Sequence, residues 1–340
     1  MKIAYLFNQK PTSKIQSDTF LEWDNAVTID TVARALRKRG EVIKIDCNPS
    51  QLNFVIDTLL SAKPDICFNM SEGLHGESRE ALLPILLETL NFPYTASPPS
   101  AMLLAHNKSL TKKMMRESSI LTPDFILINN MHDLTRLNNN LTLTFPLIVK
   151  PAHEGSSKGI TEHSVVSSFD ELILITQKNL NTYLQPMIIE QFLAGREFSV
   201  ALIGNDNTLE ALPIVEIIFD NFPKKSKKIY SYEAKWIWDT KEKPINVFKC
   251  PPELTDTLKN KIISISKKCF NTLGCRDWAR VDIRLDEHQN PHILELNPLP
   301  GLLPDPNEHS CYPLAARTAG YTFDEIIHKI LDTALERYKL

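Results

Sequence analysis

Two apolar periodicities alternate in strict succession over residues 1–97, and this alternation constrains the fold more than any other feature. KIAYLF (2–7), VIKIDC (42–47) and DICFNM (65–70) are short apolar runs of strand length. NAVTIDTVARALRKR (25–39) carries its apolar side chains at helical spacing, and a second helix falls around 50–62. Strand, helix, strand, helix, strand is the grammar of an open parallel sheet, because parallel neighbours need a crossover and a helix supplies it. Gly40 stands where a left-handed stop for the first helix belongs. Such sheets gather ligands beyond the carboxyl ends of their strands, which singles out Asn8 and the stretch from Asn69 to Gly76. A helix at 78–91 and the segment PYTAS (93–97) close the unit.

Two short helices follow, AMLLAHN and KSLTKKMMRESS, then a strand near FILI and an asparagine-rich surface loop at 134–146. PLIVKP reads as a strand ending in the turn AHEGSSKG, and a helix spans about 168–181. A boundary falls near 183–187. Beyond it, MIIEQF, EFSVALIG, LEALPIVEI, ARVDIRL and HILELN read as strands of one larger antiparallel-rich domain, closed by a helix at 323–338. The fold class is therefore α/β (α+β), with domains at 1–97, 98–185 and 186–340.

The net charge of −3 supplies no global field for nucleic acid or an anionic membrane. No apolar run approaches the ~18 residues a membrane span needs, and MKIAYLFNQKPTSK reads as a first strand, not a signal peptide. The six cysteines show no CxxC pairing and read as buried thiols, not as a disulfide framework or zinc site. A cytoplasmic protein with neither nucleic acid nor membrane as partner is expected. Only 10 of 340 residues are glycine, and neither GxxxxGK[ST] nor GxGxxG occurs, so a nucleotide would have to be held another way.

The strongest chemical signal is DWARVDIRLDEHQNPHILELNPLPG (277–301). Strands alternate faces, so Arg280 and Asp282 share one face of the first strand, and Glu295 and Asn297 share one face of the next. If the strands pair, three oxygen-bearing side chains and an arginine converge. Such oxygens suit a hard cation such as Mg²⁺, and arginine offers forked donors to phosphate or a developing oxyanion. The plainer reading is a salt-bridged sheet surface. Against it, Glu295 and Asn297 stand inside an apolar run, where unpaired polar groups are costly.

A second signal is IVKPAHEGSSKG (148–159). Lys150 ends a strand, and a turn with Ser156, Ser157, Lys158, Gly155 and Gly159 can wrap phosphate through N–H groups and hydroxyls; alone, a Ser/Gly turn is usually just a turn. The third is IIEQFLAGREFSVALIG (188–204). Glu190 and Glu197 flank its turn as acceptors for a ribose or an adenine amino group, or as two exposed strand-end carboxylates.

Together and in order, FNMSEGLHGESRE, LPILLETLNFPYTAS, NKSLTKKMM, IVKPAHEGSSKG, IIEQFLAGREFSV, LPIVEI, YSYEAKW, ARVDIRLDE, ELNPLPG and PLAARTAGYTFDEII resemble the ATP-grasp ligases, and the whole chain resembles their D-alanine–D-alanine ligase branch. The resemblance implies a three-domain ATP-grasp fold. ATP would phosphorylate a substrate carboxylate, and the amine of a second amino acid or small peptide would attack the acyl phosphate. It implies ATP contacts from Lys108, Lys150, Lys235, Ser156, Ser157, the side chains of Glu190 and Glu197, and the backbone of Gln191 and Leu193. Two Mg²⁺ ions, or Mn²⁺ in their place, would be held by Asp282, Glu295 and Asn297. Arg280 matches the arginine that stabilises the tetrahedral intermediate, and Ser156, Lys235 and Asp24 complete the catalytic set. Lys235 lies in a segment resembling the loop that closes over the site; the preceding Lys224, Lys225, Lys227 and Lys228 read as solvated surface. A homodimer is also implied.

The substrate side departs from the family pattern. FNQKPTSKIQSDTFLEWD replaces the usual GG-x-S-x-E-x-E-V-S, which leaves Asp24, counted back from Gly40, at the place of the substrate-amine glutamate, with Glu22 as the near alternative. Trp236 replaces a common tyrosine, and Lys158 a small apolar residue. The segment before PLAAR is about four residues longer than usual and brings Asp305, Glu308 and His309 near the second-substrate pocket. Gly301, His75 (in LHGES) and Ser310, which matches the acceptor-carboxylate serine, complete the substrate set. Three functions follow: D-alanine–D-alanine ligation for peptidoglycan synthesis, ligation of other amino acids or small peptides, and an ATP-binding regulatory protein without turnover.

Overall fold

The computed structural model describes residues 1–11, 18–137, 141–223, 226–238, 245–308 and 310–340. Lys224, Lys225 and His309 lie outside the described residues. Strand β1 (Lys2–Phe7), helix α1 (Ala26–Arg37), β2 (Glu41–Asp46), α2 (Leu52–Ala62) and β3 (Ile66–Asn69) form a parallel sheet in the order β2-β1-β3. Asn25 caps α1 by accepting from the Thr28 N–H at 2.8 Å, and Ile29, Val32, Ala33 and Leu36 bury one face. Gly40 has a different reason from the one expected. Its backbone is not left-handed; a Cβ there would collide with the Met1 carbonyl, which accepts from Glu41 N–H. The helix at 78–91 shortens to α3 (Leu82–Thr89) after a 3₁₀ turn at Arg79–Ala81, and PYTAS makes only one parallel bridge, Tyr94 with Cys67.

Helices α4 (Pro99–His106) and α5 (Lys108–Glu117) meet at Asn107, whose side chain caps α5. Next come β4 (Phe125–Ile128), α6 (Met131–Leu137), β5 (Leu147–Pro151), β6 (Val165–Val166), α7 (Phe169–Tyr183) and β7 (Met187–Gln191), whose strands form an antiparallel sheet in the order β4-β7-β5-β6. Two readings change here. MIIEQF belongs to this middle sheet, because Met187 and Ile189 point into the core built by Leu147 and Val149. The loop read at 134–146 begins inside α6, because Leu134 and Leu137, three residues apart, pack into that same core.

The last sheet contains β8 (Glu197–Ile203), β9 (Glu210–Ala211), β10 (Val215–Ile217), β11 (Phe248–Lys249), β12 (Trp278–Leu285) and β13 (Pro291–Asn297), in the order β11-β10-β8-β12-β13 with β9 on β8. LEALPIVEI is two strands instead of one, with Pro213 between them. Helix α8 (Asp256–Thr272) covers one face, together with Ala101, Ala105 and Met115 of α4 and α5, so these two helices pack outside the middle sheet. Helices α9 (Cys311–Thr318) and α10 (Phe323–Tyr338) cover the other face and join it to α1 in one continuous core. The Arg39–Asp332 and Lys38–Asp324 ion pairs rim that junction, and Arg337 donates to Asp277 and to the Tyr94 carbonyl, each at 2.8 Å. Cys47, Cys67, Cys269 and Cys275 are buried thiols as expected, whereas Cys250 and Cys311 are half-buried. Among the described residues no helix is long and apolar enough to cross a membrane.

Candidate active site

Strands β12 and β13 pair antiparallel, with Arg280 opposite Asn297 and Asp282 opposite Glu295. The four side chains read from alternation alone are therefore neighbours. Asp282 accepts from Ser199 Oγ at 2.7 Å on β8 and from Arg280 Nη2 at 2.7 Å. Burial works against the Arg280 charge, but Asp282 outweighs it and raises the guanidinium pKa. Glu295 lies 3.5 Å from Lys108 Nζ and 4.0 Å from Arg280 Nη2. Burial alone would lift its carboxyl; Lys108, Arg280, Lys150 and Lys235 together overcome that and hold it below the usual carboxylate range. Asn297 Oδ1 accepts from the Leu299 N–H at 2.8 Å, which turns the chain into LPG.

The lysines arrive from the start of a helix and the end of a strand. Lys108 opens α5, is 7% exposed, and donates to the Glu154 carbonyl. Lys150 on β5 donates to Glu190 Oε2 on the neighbouring β7 at 2.7 Å. Lys112, one helical turn after Lys108, lies 3.3 Å from Glu190 Oε1 and donates to Thr122 Oγ1 at 2.8 Å. Its side chain is fully buried, and that burial pulls its pKa down to about 8 despite Glu190. Glu190 is thus buried, not exposed: it is the shared counter-ion of two lysines, and its Oε1 has no hydrogen-bond partner among the described residues. Glu197 is likewise paired, accepting from Arg284 Nη1 at 2.9 Å, while the Arg284 guanidinium lies against the rings of Phe192 and Phe219. The Gln191 N–H donates to the Asp124 carbonyl at 2.8 Å, and Leu193 follows in the turn to β8.

The Ser-Gly turn is left-handed at Ser156 and Ser157, with φ of 51° and 60°. Ser157 Oγ donates to the Tyr230 carbonyl at 2.9 Å, Trp236 Nε1 to the Ser156 carbonyl at 3.2 Å, and the Tyr232 N–H to the Ile160 carbonyl at 2.8 Å. The YSYEAKW segment therefore lies directly on this turn, and its Ala234–Trp238 stretch winds into a π-helical turn. Burial, then the nearby Arg280 charge, lowers the Lys235 pKa. Lys158 pairs with Glu154 at 3.2 Å, and the Lys227 N–H donates to Glu162 Oε2 at 2.8 Å.

A cleft of about 400 Å³ opens between the N-terminal segment and this turn, lined in part by Glu22, Trp23, His75, Arg79, His153 and Ser156. Glu22, not Asp24, faces it. Glu22 accepts from Arg79 Nη2 at 2.8 Å and abuts Gly155, where a Cβ would collide with its carboxylate. Asp24 stands behind, bonded through its backbone to Asn8 and Lys10, and Lys10 lies over the Trp236 ring. His75 is exposed at the rim. Ser310 Oγ donates to the Gly301 carbonyl at 2.9 Å, closing the longer loop between them.

Burial raises the Asp24 pKa to about 7, with Lys10 opposing. The native chain then holds a proton that the unfolded chain releases, so stability falls as pH rises from about 4 to about 7. Asp24→Asn is expected to raise the thermal midpoint more at pH 8 than at pH 5, with a ceiling of ~4 kcal/mol. Equal shifts at the two pH values in thermal scans would overturn this.

The family model described as D-ala D-ala ligase C-terminus matches residues 114–332. A D-alanine–D-alanine ligase of Carboxydothermus hydrogenoformans is 32% identical over 315 residues, covering 91% of this chain and 93% of that protein. The chain belongs to the D-alanine–D-alanine ligase family. With that membership comes an enzyme class, the ADP-forming, ATP-dependent carbon–nitrogen ligases. An uncharacterised protein of Sinorhizobium fredii, y4sG, is also 32% identical over 321 residues, 93% of this chain and 90% of that protein. A crystal structure of the D-alanine–D-alanine ligase of Bacillus anthracis complexed with ATP shares the fold, with a TM-score of 0.70, 23% identity, and coverage of 100% of this chain and 99% of that one. Within this candidate site, sequence reasoning missed Ser199, Lys112, Arg79 and His106, which meets Arg79 through its Nε2. Only Lys112 carried a signal, its spacing of four residues from Lys108, which puts both on one helix face.

Proposed function

We propose that the chain joins a substrate carboxylate to an amine through an acyl phosphate, using ATP and Mg²⁺, with D-alanine in both substrate places. The observation that carries this is the placing of Lys108 and Arg280 within 4.0 Å of Glu295, with Lys150 and Lys235 near enough to help depress its carboxyl, across the sheet from Asp282 and beside Asn297. Four cations around one carboxylate would be an unusual structural device, but they suit a site built for a polyphosphate. Lys108, Lys150 and Lys235 would take the phosphates, and the Ser156–Ser157 turn would cover them. Glu190, Glu197, Gln191 and Leu193 border the place of the nucleoside.

Asp282, Glu295 and Asn297 fit Mg²⁺ by donor chemistry, since all offer oxygen. Among the described residues no group of three or more His, Cys, Asp or Glu is placed to hold a metal alone. Phosphate oxygens and water would have to complete the shell, which is how Mg²⁺ is commonly held at phosphate sites. When bound, Mg²⁺ neutralises phosphate charge and orients the transferred group. The chain's own residues do the rest. Arg280, whose Nε and Nη2 are held by Asp282, would turn its remaining N–H donors to the oxyanion that forms as the amine attacks. The bonds from Ser156, Ser157 and Ile160 to the 230–236 segment keep the turn and the loop together, which excludes water that would hydrolyse the acyl phosphate. Glu22, facing the cleft beside the turn, takes the ammonium of the first amino acid, the role expected of Asp24; Ser310, Gly301 and Trp236 border the second.

The three sheets support the division into three domains, with the last boundary after β7 instead of before it. A cytoplasmic location and a homodimer belong to the same proposal, supported by family likeness. A second reading, ligation of another amino acid or small peptide, is favoured by the Glu22–Arg79 pair that borders the cleft. ADP release measured over pairs of D- and L-amino acids tests both. Mg²⁺-dependent release with D-alanine is expected. Release only with other amines favours the second reading, and nucleotide binding without release on any pair removes the ligation proposal.

A further inference from the structure

From Glu22 at the cleft wall a chain of four charged or ionisable side chains runs inward, three of which the ligation reading leaves without a role. Glu22 Oε2 accepts from Arg79 Nη2 at 2.8 Å. The other arm of the Arg79 guanidinium reaches His106 Nε2 and donates to the His153 carbonyl at 3.1 Å. His106 Nδ1 in turn lies 2.7 Å from Glu80 Oε1. The Arg79 side chain is 8% exposed, that of His106 4% and that of Glu80 10%, whereas Glu22 at 20% is the one member that opens on the cleft.

We infer that Arg79 is a positioning residue for the first amino acid: anchored by His106 and Glu80, it holds the Glu22 carboxylate beside the Gly155–Ser156 turn as the acceptor for a substrate ammonium. Geometry supports this in three ways. Glu22 lies between the end of an undescribed stretch and α1, so no strand or helix of its own fixes its side chain. Arginine's planar fork meets two partners at once, Glu22 on one side and His106 with the His153 carbonyl on the other, which a point charge cannot do. One Glu22 oxygen is taken by Arg79, while Oε1 lies over Gly155, where only glycine leaves room for it.

Charge points the same way. Glu22 and Glu80 carry two negative charges against one on Arg79. Glu72, beside them, is driven toward its neutral form by burial and by the carboxylates around it. His153 is pushed toward its neutral form chiefly by burial, and Lys158 is already paired with Glu154. Lys108 and His106 act on Glu80 from the inner end of the network, so the carboxylate left facing the cleft is Glu22, which an ammonium complements and a second carboxylate would repel.

The inference rests on the ligase reading, and the experiment separates the two. ADP release is measured with D-alanine, or with whichever amino acid of the panel gives the highest release. The variants are Glu22→Gln, Arg79→Met, Arg79→Lys and the Glu22→Gln/Arg79→Met double. Arg79→Met is expected to raise the first-site KM at least tenfold, with kcat and the KM for ATP changed less than about twofold, the pattern of lost ground-state binding. Glu22→Gln should do the same, and the double variant should be no worse than either single, because Arg79 acts through Glu22. Arg79→Lys should fall between, keeping the charge but losing the fork. Additive losses, or a parallel fall in kcat and ATP affinity with a lowered thermal midpoint, would mean Arg79 only braces the fold. An unaffected first-site KM in Glu22→Gln overturns the role of both residues while leaving ligation intact. No release from the wild type on any amino acid removes the ligase reading and this one with it.

Discussion

Glu295→Gln is expected to lower kcat by ~10³-fold or more, the scale seen when a preorganised charge contact to a transition state is lost. The sharper result concerns nucleotide binding. Glu295 lies within 4.0 Å of Lys108 and Arg280 and in the field of Lys150 and Lys235, and the three lysines are the groups assigned to phosphate. Without Mg²⁺, its carboxylate repels phosphate and competes for those cations, so the glutamine variant should bind ATP more tightly than the wild type. With Mg²⁺ the order should reverse, because a metal ligand has been lost. Calorimetric titration with and without Mg²⁺ measures both arms. A change of the same sign in both would remove Glu295 from the metal set and leave it a counter-ion only.

The second large effect is an asymmetry at the buried triad of Lys112, Glu190 and Lys150. Glu190→Gln removes the one carboxylate and leaves two nearly inaccessible ammonium groups facing each other. Removing one partner of a buried ion pair costs about 3–5 kcal/mol, and that loss is expected in denaturant unfolding at pH 7. Lys112→Met should cost much less. Lys150 still bonds Glu190 at 2.7 Å, and the substitution removes a charge whose burial is itself unfavourable, as its lowered pKa of about 8 records. Equal losses from the two variants would mean that packing, not charge balance, sets the stability here.

How legible each part was depended on how local its cause is. Strand alternation placed Arg280, Asp282, Glu295 and Asn297 correctly because the side-chain period along a strand is fixed, and the two strands pair across a short turn. The last helix fell at 323–338 in both readings, since Thr322 and Glu325 form a reciprocal cap that can be seen in the letters. Sheet membership was less visible. MIIEQF looks like any buried strand, and only its register with LIVKP, some 40 residues earlier, assigns it to the middle sheet. The burial of Glu190 was hidden for the same reason: a carboxylate at a strand end looks exposed until two lysines from other elements arrive. Arg79 and His106 lie 27 residues apart with no shared periodicity, so no pattern in the sequence joins them.

The junction between α1 and α10 has a consequence for the chain while it is being made. Helix α1 is complete by residue 37, but the core that covers its outer face includes Ile326, Ile327, Ile330 and Leu331. Nearly three hundred residues separate the two. At a synthesis rate of ~5–20 residues per second, the first helix waits on the order of 15–60 seconds for the partner that shields it. The parallel sheet is therefore a unit of architecture without being a unit of folding on the ribosome. A truncation that stops short of residue 323 would release it with an apolar face in water, at risk of aggregation before catalysis is in question.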